Sequence, residues 1–465
     1  MILQALYDYY KRSKDLPAYG REEKEIGFLI VIDRQGNFLR FEDRRIDKRR
    51  AATFLVKKHV SRSSAIVPNY LYDNIEYVLG YSPKSPEKAK QKNSAFKEKV
   101  GLIYEAIPTN DDISAVKAFY DTDSEELIKT MQTDILWPEI VKNLDKKYST
   151  FSFLVDGDTE IIAEKDELVD VLDTDSETDN DICLITGDRC TSVSITTATM
   201  IPGSQAIAKL VAFQVGSGYD SYGHEKCANA PISPQAEFAY TTALNHLLGH
   251  ESRNKFSIGN RTYVFWASKD DEAGHQAEEG FYTMLGIGKD YDSNNPDKGI
   301  GQVRKVFGGL YTGSIRTDLD DRFYILGLAP NSARIAVVYW SETRLQDFAS
   351  VILKHIEDME IVDGRREKRP YMGLHSILAA VTLGGKFSEA TPNLPDAVAK
   401  SIFGGTPYPY TLFASCIRRI RAEQTVGIVR AAIIKAFLSR IDNQNKIGIM
   451  LDKENTNQGY LCGRL

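Results

Sequence analysis

Apolar residues recur in two rhythms along the chain, and the change between them falls just after Tyr339. Before it, short runs rich in β-branched and aromatic residues, each bounded by turn formers, predict strands. They are IGFLIVID, NFLRFED, FSFLVD, ICLIT, KLVAF, TYVFWA, FYILGLA and RIAVVYW. Arg34-Gln35-Gly36 joins the first two as a hairpin. MILQALYDYYKR and the stretches 125–136 and 235–248 have helical spacing, and Trp137-Pro138 closes the second because proline holds its predecessor away from helical geometry. The stretch 83–99, with six lysines, two glutamates and two prolines, reads as a mobile loop leading into a helix. After Tyr339 the spacing becomes three and four: Leu345, Phe348, Val351, Ile352, His355, Ile356 and Met359 form the stripe of an amphipathic helix. Further helices are predicted over 376–383, 395–403, 410–422 and 426–438, separated by Gly384-Gly385, Gly404-Gly405 and Gly427. The pattern predicts an α+β protein, with a β-rich mixed amino-terminal and central region over 1–345 and a mainly helical segment over 346–465.

Composition adds limits. A chain of 465 residues, 42% hydrophobic and 26% charged, can bury a sizeable core and holds more than one domain. No apolar stretch approaches the roughly 20 residues that span a bilayer, and the start lacks a basic leader followed by an apolar run. The sequence therefore reads as cytoplasmic, with no membrane partner. Five cysteines, odd in number and widely spread, do not form a disulfide framework.

The formal charge of −6 argues against a polyanionic partner until its distribution is inspected. Twelve acids stand against one base between Asp156 and Asp181, a run that reads as a solvated face. The opposite extreme lies at 44–62, where Arg44, Arg45, Lys48, Arg49, Arg50, Lys57, Lys58 and Arg62 stand against Asp47. This basic part, within about 1–110, runs into Asn69, Tyr70, Tyr72 and Asn74. Phosphates attract Lys and Arg, and amide side chains can meet base edges, so the two residue types together point to a nucleic-acid contact. Without such a partner the segment would be a solvated basic helix, followed by a strand with its tyrosines packed inward. Arg365, Arg366, Lys368 and Arg369, and then Arg418, Arg419 and Arg421, form later basic clusters. They are candidates for backbone contacts or partners of acids such as Glu423.

Catalytic motifs are missing. Gly384-Gly385-Lys386 is followed by Phe387 in place of the hydroxyl of a phosphate-binding loop. Gly216-Ser217-Gly218 and Gly286-Ile287-Gly288 lack the third glycine of a dinucleotide fingerprint, and neither HExxH nor GxSxG occurs. His224, Cys227, His246 and His250 have spacings that a tetrahedral zinc accepts, but partly buried polar residues account for them better, and no cofactor is expected.

The ordered blocks LVAF, SYG, NAP, FAYTTALN, VFWA and FYILGLAPNSARIAV, with GTPYPYTLFASCIRRIRA and RAAIIKAFLSR after them, resemble the large subunit of the type I-C CRISPR Cascade complex. MILQALYDYY, IGFLIVIDRQGNF and PNYLYDNIEYVLG resemble its amino-terminal part in the same order. The resemblance implies a subunit that is not an enzyme. It would recognise the short motif beside the target in double-stranded DNA, help open the duplex and hold the displaced strand. Its partners would be the other Cascade subunits, the guide RNA end and the helicase-nuclease it recruits. The family continues into a carboxyl-terminal helical bundle that this chain is expected to lack. Local chemistry then places motif reading on Lys57, Lys58, Arg62, Asn69 and Asn74, with Tyr70 or Tyr72 as a wedge, and backbone contacts on Arg44, Arg45, Lys48, Arg49, Arg50, Arg365, Arg366, Arg418 and Arg419. Two rival readings are a scaffold that binds only neighbouring subunits and guide RNA, and a metal-dependent hydrolase built on His224, His246 and His250 beside Glu251.

Overall fold

A computed structural model describes residues 1–60, 65–146, 148–172, 181–213, 216, 220, 222–249, 252–285, 297–362, 364, 372–386, 390–391, 393–441 and 447–464. The chain divides into two compact units, Pro17–Thr178 and the combination of Met1–Leu16 with Asp179–Leu465. Both mix helices with sheets, as the α+β pattern predicts.

Helix α1 (Ile2–Arg12) opens the chain and belongs to the larger unit. In the unit Pro17–Thr178, strands β1 (Arg21–Glu25) and β4 (Thr53–Lys57) pair as a two-stranded ribbon, while β2 (Phe28–Ile32), β3 (Phe38–Asp43), β5 (Tyr72–Asn74) and β6 (Thr150–Val155) form a sheet in the order β3-β2-β6-β5. β2 and β6 run parallel in register from Phe28↔Phe151 to Ile32↔Val155. Every residue of both is buried, so apolar side chains fill both faces and the alternation of a half-exposed strand disappears. The predicted hairpin holds: Asp33 Oδ1 accepts the amides of Gln35 and Asn37, and Gly36 takes φ +84°.

Helices complete this unit: α2 (Ile75–Val78), α3 (Pro86–Ala106), α4 (Asp111–Asp121), α5 (Ser124–Met131), α6 (Trp137–Lys142) and α7 (Asp166–Val169). The expected mobile loop at 83–99 is mostly the first part of α3. Pro86 occupies its first turn, where a missing N–H costs nothing, and Ala89, Asn93, Phe96, Val100 and Ile103 make its buried stripe. Asn93 Nδ2 donates to Tyr77 O at 2.8 Å and Val78 O at 2.9 Å, satisfying carbonyls at the end of α2. Pro138 likewise sits in the first turn of α6, so Trp137-Pro138 begins a helix after α5 has ended at Met131.

In the larger unit, β7 (Asp181–Ile182) and β8 (Arg189–Cys190) form a short pair. Of the predicted strand ICLIT only Ile182 lies in a strand, and KLVAF contributes a lone bridge between Lys209 and Arg334 in place of a strand. After helix α8 (Pro234–Leu247), strands β9 (Lys255–Ile258), β10 (Arg261–Ala267), β11 (Arg322–Asn331) and β12 (Arg334–Arg344) make an antiparallel sheet in the order β12-β11-β10-β9. Helices α9 (Glu272–Leu285) and α10 (Asp297–Thr312) lie between β10 and β11 in the chain, and α11 (Leu345–Met359) follows β12.

The period-two geometry of a strand divides this sheet's side chains between two cores. Tyr263, Phe265, Phe323 and Ile325 join α9, α10 and α11 on one face, where the Phe281 ring lies 4.8 Å from Phe265. Val264, Trp266, Tyr324 and Leu326 pack with α1 and α8 on the other. Helices α12 (Leu374–Ala380), α13 (Leu394–Phe403), α14 (Tyr410–Glu423) and α15 (Ile428–Ile441) extend the first core, and α16 (Gln458–Arg464) closes the described chain.

A basic hairpin as candidate nucleic-acid interface

The segment 44–52 links β3 to β4, and hydrogen bonds shape it into a closed turn. Arg44 N donates to Gly27 O at 2.8 Å and Ala52 N donates to Arg44 O at 2.7 Å. Arg45 and Ala51 form an antiparallel bridge. At the tip, Ile46 N and Asp47 N both donate to Arg50 O, while Asp47 Oδ1 accepts Arg49 N at 2.7 Å and Arg50 N at 2.9 Å. The Arg49 amide foremost, then the Arg50 side chain and amide, hold the Asp47 carboxyl below its ordinary pKa. A single aspartate thus fixes the loop that carries the cations.

The cations here separate into three groups. Arg45 belongs to the frame: it pairs with Asp43 at 2.6 Å and Glu139 at 3.4 Å and lies over the Phe28 ring. Arg44 pairs with Glu42 at 2.7 Å and Arg50 with Asp47 at 3.2 Å, both on the surface. Surface pairs of this kind contribute roughly 0–1 kcal/mol, so a phosphate can replace either carboxylate at small cost. Lys48 and Arg49 are exposed and make no ion pair among the described residues. Beside them Ile46 is 66% exposed, an apolar side chain on a charged tip that sequence reading passed over; its signal was an isoleucine inside a run of charged residues.

The described acids of the run are mostly exposed, as a solvated face requires, yet several of them are ion-paired. Asp156 pairs with Arg40, Asp158 with Lys165, Asp166 with Arg21 and Asp170 with Lys57. These carboxylates offset cations elsewhere in the same unit. Among the described residues, Lys48 and Arg49 take no part in this exchange.

The described residues of 57–74 go mainly into building the unit. Lys57 Nζ donates to Val169 O at 3.0 Å and lies over the Tyr70 ring. Tyr70 is buried and Tyr72 wholly so, the Tyr72 hydroxyl donating to Lys57 O at 2.8 Å. Neither ring stands on the surface where a wedge would act. Asn69 Oδ1 accepts Val60 N, and Asn69 N donates to Asp73 Oδ2. Asn74 Oδ1 accepts the amides of Glu76 and Tyr77 and so caps α2. Lys58 is half-buried. Arg62, Arg365, Arg366, Lys368 and Arg369 lie outside the described residues. On α14, Arg418 is exposed, whereas Arg419 pairs with Glu423, which Arg430 shares.

A family model described as CRISPR-associated protein (Cas_Csd1) matches residues 6–465. The chain belongs to the Cas_Csd1 family. No curated protein matches it. In this Cas_Csd1 protein the residues weighed for zinc are dispersed in character. His224 and His246 are exposed and Cys227 is buried. Burial pushes the Cys227 thiol up to about 11, and its Sγ faces Ala230 O at 3.4 Å. That setting favours the protonated thiol over the thiolate a metal needs. His250 and Glu251 lie outside the described residues, and among those described no group of three or more His, Cys, Asp or Glu could hold a metal ion. No helix among them is long and apolar enough to cross a membrane.

Proposed function

We propose that this Cas_Csd1 protein is the non-catalytic large subunit of a type I-C Cascade effector. In this reading it recognises the short motif beside the target in double-stranded DNA, helps open the duplex and hold the displaced strand, and recruits the helicase-nuclease. It does so alongside the other Cascade subunits and the repeat-derived end of the guide RNA. Guide pairing carries most of the sequence specificity in such a machine, so the protein need read only a few base pairs and the backbone charge. The observation that carries the reading is the 44–50 turn, which holds Lys48 and Arg49 exposed and, among the described residues, without carboxylate partners in an acidic chain. Arg44 and Arg50 supply further phosphate contacts once their surface pairs exchange.

The test is duplex binding by assembled complex across a salt series. Lys48→Ala/Arg49→Ala should weaken binding of all sequences alike and flatten the dependence of log affinity on log salt by about two, one per lost contact. An unchanged slope would remove the turn from the interface. The internal contacts of Asn69, Tyr70, Tyr72 and Asn74 favour a second reading, a scaffold that leaves DNA to other subunits. Salt-dependent duplex binding by the free chain would argue against that reading.

A further inference from the structure

The larger unit holds an open cavity of about 470 Å³, remote in sequence from the basic turn. Its floor and rim are apolar: Phe213 lines it, half-buried against the core, and Ile195 and Ile207 are 61% and 64% exposed at its mouth. Lys209, Lys226 and Arg334 also line it, with no carboxylate among the described lining residues. Lys209 and Arg334 are partners in an isolated parallel bridge, with Ile335 N donating to Lys209 O at 3.0 Å. The bridge therefore sets the two residues in register on neighbouring segments.

Lys209 and Lys226 form no ion pair among the described residues. Burial lowers the Lys209 pKa, opposed by the more distant Glu237. Glu237 is itself buried, with Oε1 accepting Thr197 N at 2.5 Å. Three cations over an aromatic and aliphatic floor match a ligand that is anionic at one end and flat and apolar at the other. A cavity of this size takes one such unit. A base stacked and paired inside a duplex cannot enter it, whereas an unpaired base can lie against an aromatic ring with its phosphate among cations.

We propose that this cavity binds one unpaired nucleotide of a single-stranded nucleic acid, its base against Phe213, Ile195 and Ile207 and its phosphate among Lys209, Lys226 and Arg334. The proposal rests on the nucleic-acid reading above and adds a second site to it.

The test uses the full chain and a labelled oligothymidylate, read by fluorescence anisotropy. Phe213→Ala should weaken binding about tenfold, with Phe213→Tyr near the wild-type value, because stacking needs only a ring face. Lys209→Ala/Arg334→Ala should flatten the single-strand salt slope by about 0.7, as expected for the one phosphate the cavity holds. Both variants should leave assembled complex binding unchanged on a motif-bearing duplex that the guide cannot pair with, and Lys48→Ala/Arg49→Ala should leave oligothymidylate affinity unchanged. Single-strand binding that is insensitive to Phe213 overturns the cavity as the site. Failure to bind oligothymidylate while duplex still binds overturns it too, and leaves the proposed function standing. Because Phe213 also packs against the core, cross-linking of wild-type protein to 4-thiothymidine oligomers supplies an independent readout. Adducts mapped to peptides containing Phe213 or Lys226 support the proposal, and adducts confined elsewhere overturn it.

Discussion

At the scale of single residues, side chains that look alike in sequence have different work. Asn74 was a candidate for base reading, yet its oxygen holds the first amides of α2. Loss of such a cap costs about 1 kcal/mol. Asn74→Ala should therefore lower the unfolding free energy measured in urea by that amount, and a change in motif discrimination beyond this loss would return Asn74 to base reading. His355 makes the same point in the helical segment. It is fully buried, with Nε2 near Met372 O at 2.8 Å and Nδ1 near Tyr408 Oη at 2.7 Å. A carbonyl only accepts, so Nε2 carries the proton and Nδ1 accepts from the Tyr408 hydroxyl. Burial pushes the imidazole down to about 4, below its unfolded value of about 6.5. The unfolded chain then binds more protons between those values. This contribution is complete above pH 6.5 and is lost as pH falls towards 4, up to about 3 kcal/mol in all. His355→Gln can keep both hydrogen bonds without titrating. Its denaturation midpoint should fall less than the wild-type midpoint between pH 7.5 and 5.

Elements were legible where one face or both faces are apolar. β2, β6, β10, β11 and the stripe of α11 announce themselves because burial demands hydrophobic residues at fixed spacing. β1 does not: REEKE has no apolar residue, and it is a strand because β4 pairs with all five of its positions. α3 was hidden by its lysines, which alternate with a buried stripe that begins behind a proline. The β2–β3 hairpin tests how closely an element must fit. Gly36 has φ +84°, and a Cβ there would meet Phe119 N at 2.5 Å and Ala115 O at 2.7 Å, both backbone atoms of α4. Gly36→Ala should cost more than about 2 kcal/mol in chemical denaturation, since strain and clash add.

For the whole molecule, the two units carry separate hydrophobic clusters, one within 26–172 and two in the larger unit. Unfolding should then depart from a single two-state transition. Arg440 is a probe of the larger unit: it is buried, bonded to Asp358 at 2.6 Å, and donates to Ser401 O and Thr406 O. Arg440→Ala leaves the buried Asp358 charge without this partner and should cost about 3–5 kcal/mol. In calorimetry it should move one transition and Gly36→Ala the other; a common shift by both would show one cooperative unit.

Taken alone, the sequence determined the α+β class, most of the strongly apolar elements, the asymmetry of charge and the family. These are properties of composition, period and ordered motif, and each is written locally along the chain. Only the tertiary structure decided which cations have carboxylate partners. Arg40 meets Asp156 and Arg21 meets Asp166 across more than a hundred residues, whereas Lys48 and Arg49 find none among the described residues. Ion pairing depends on distances of a few ångströms between side chains on different elements. A count along the chain shows where charge is dense, and folding determines where it remains available to a partner.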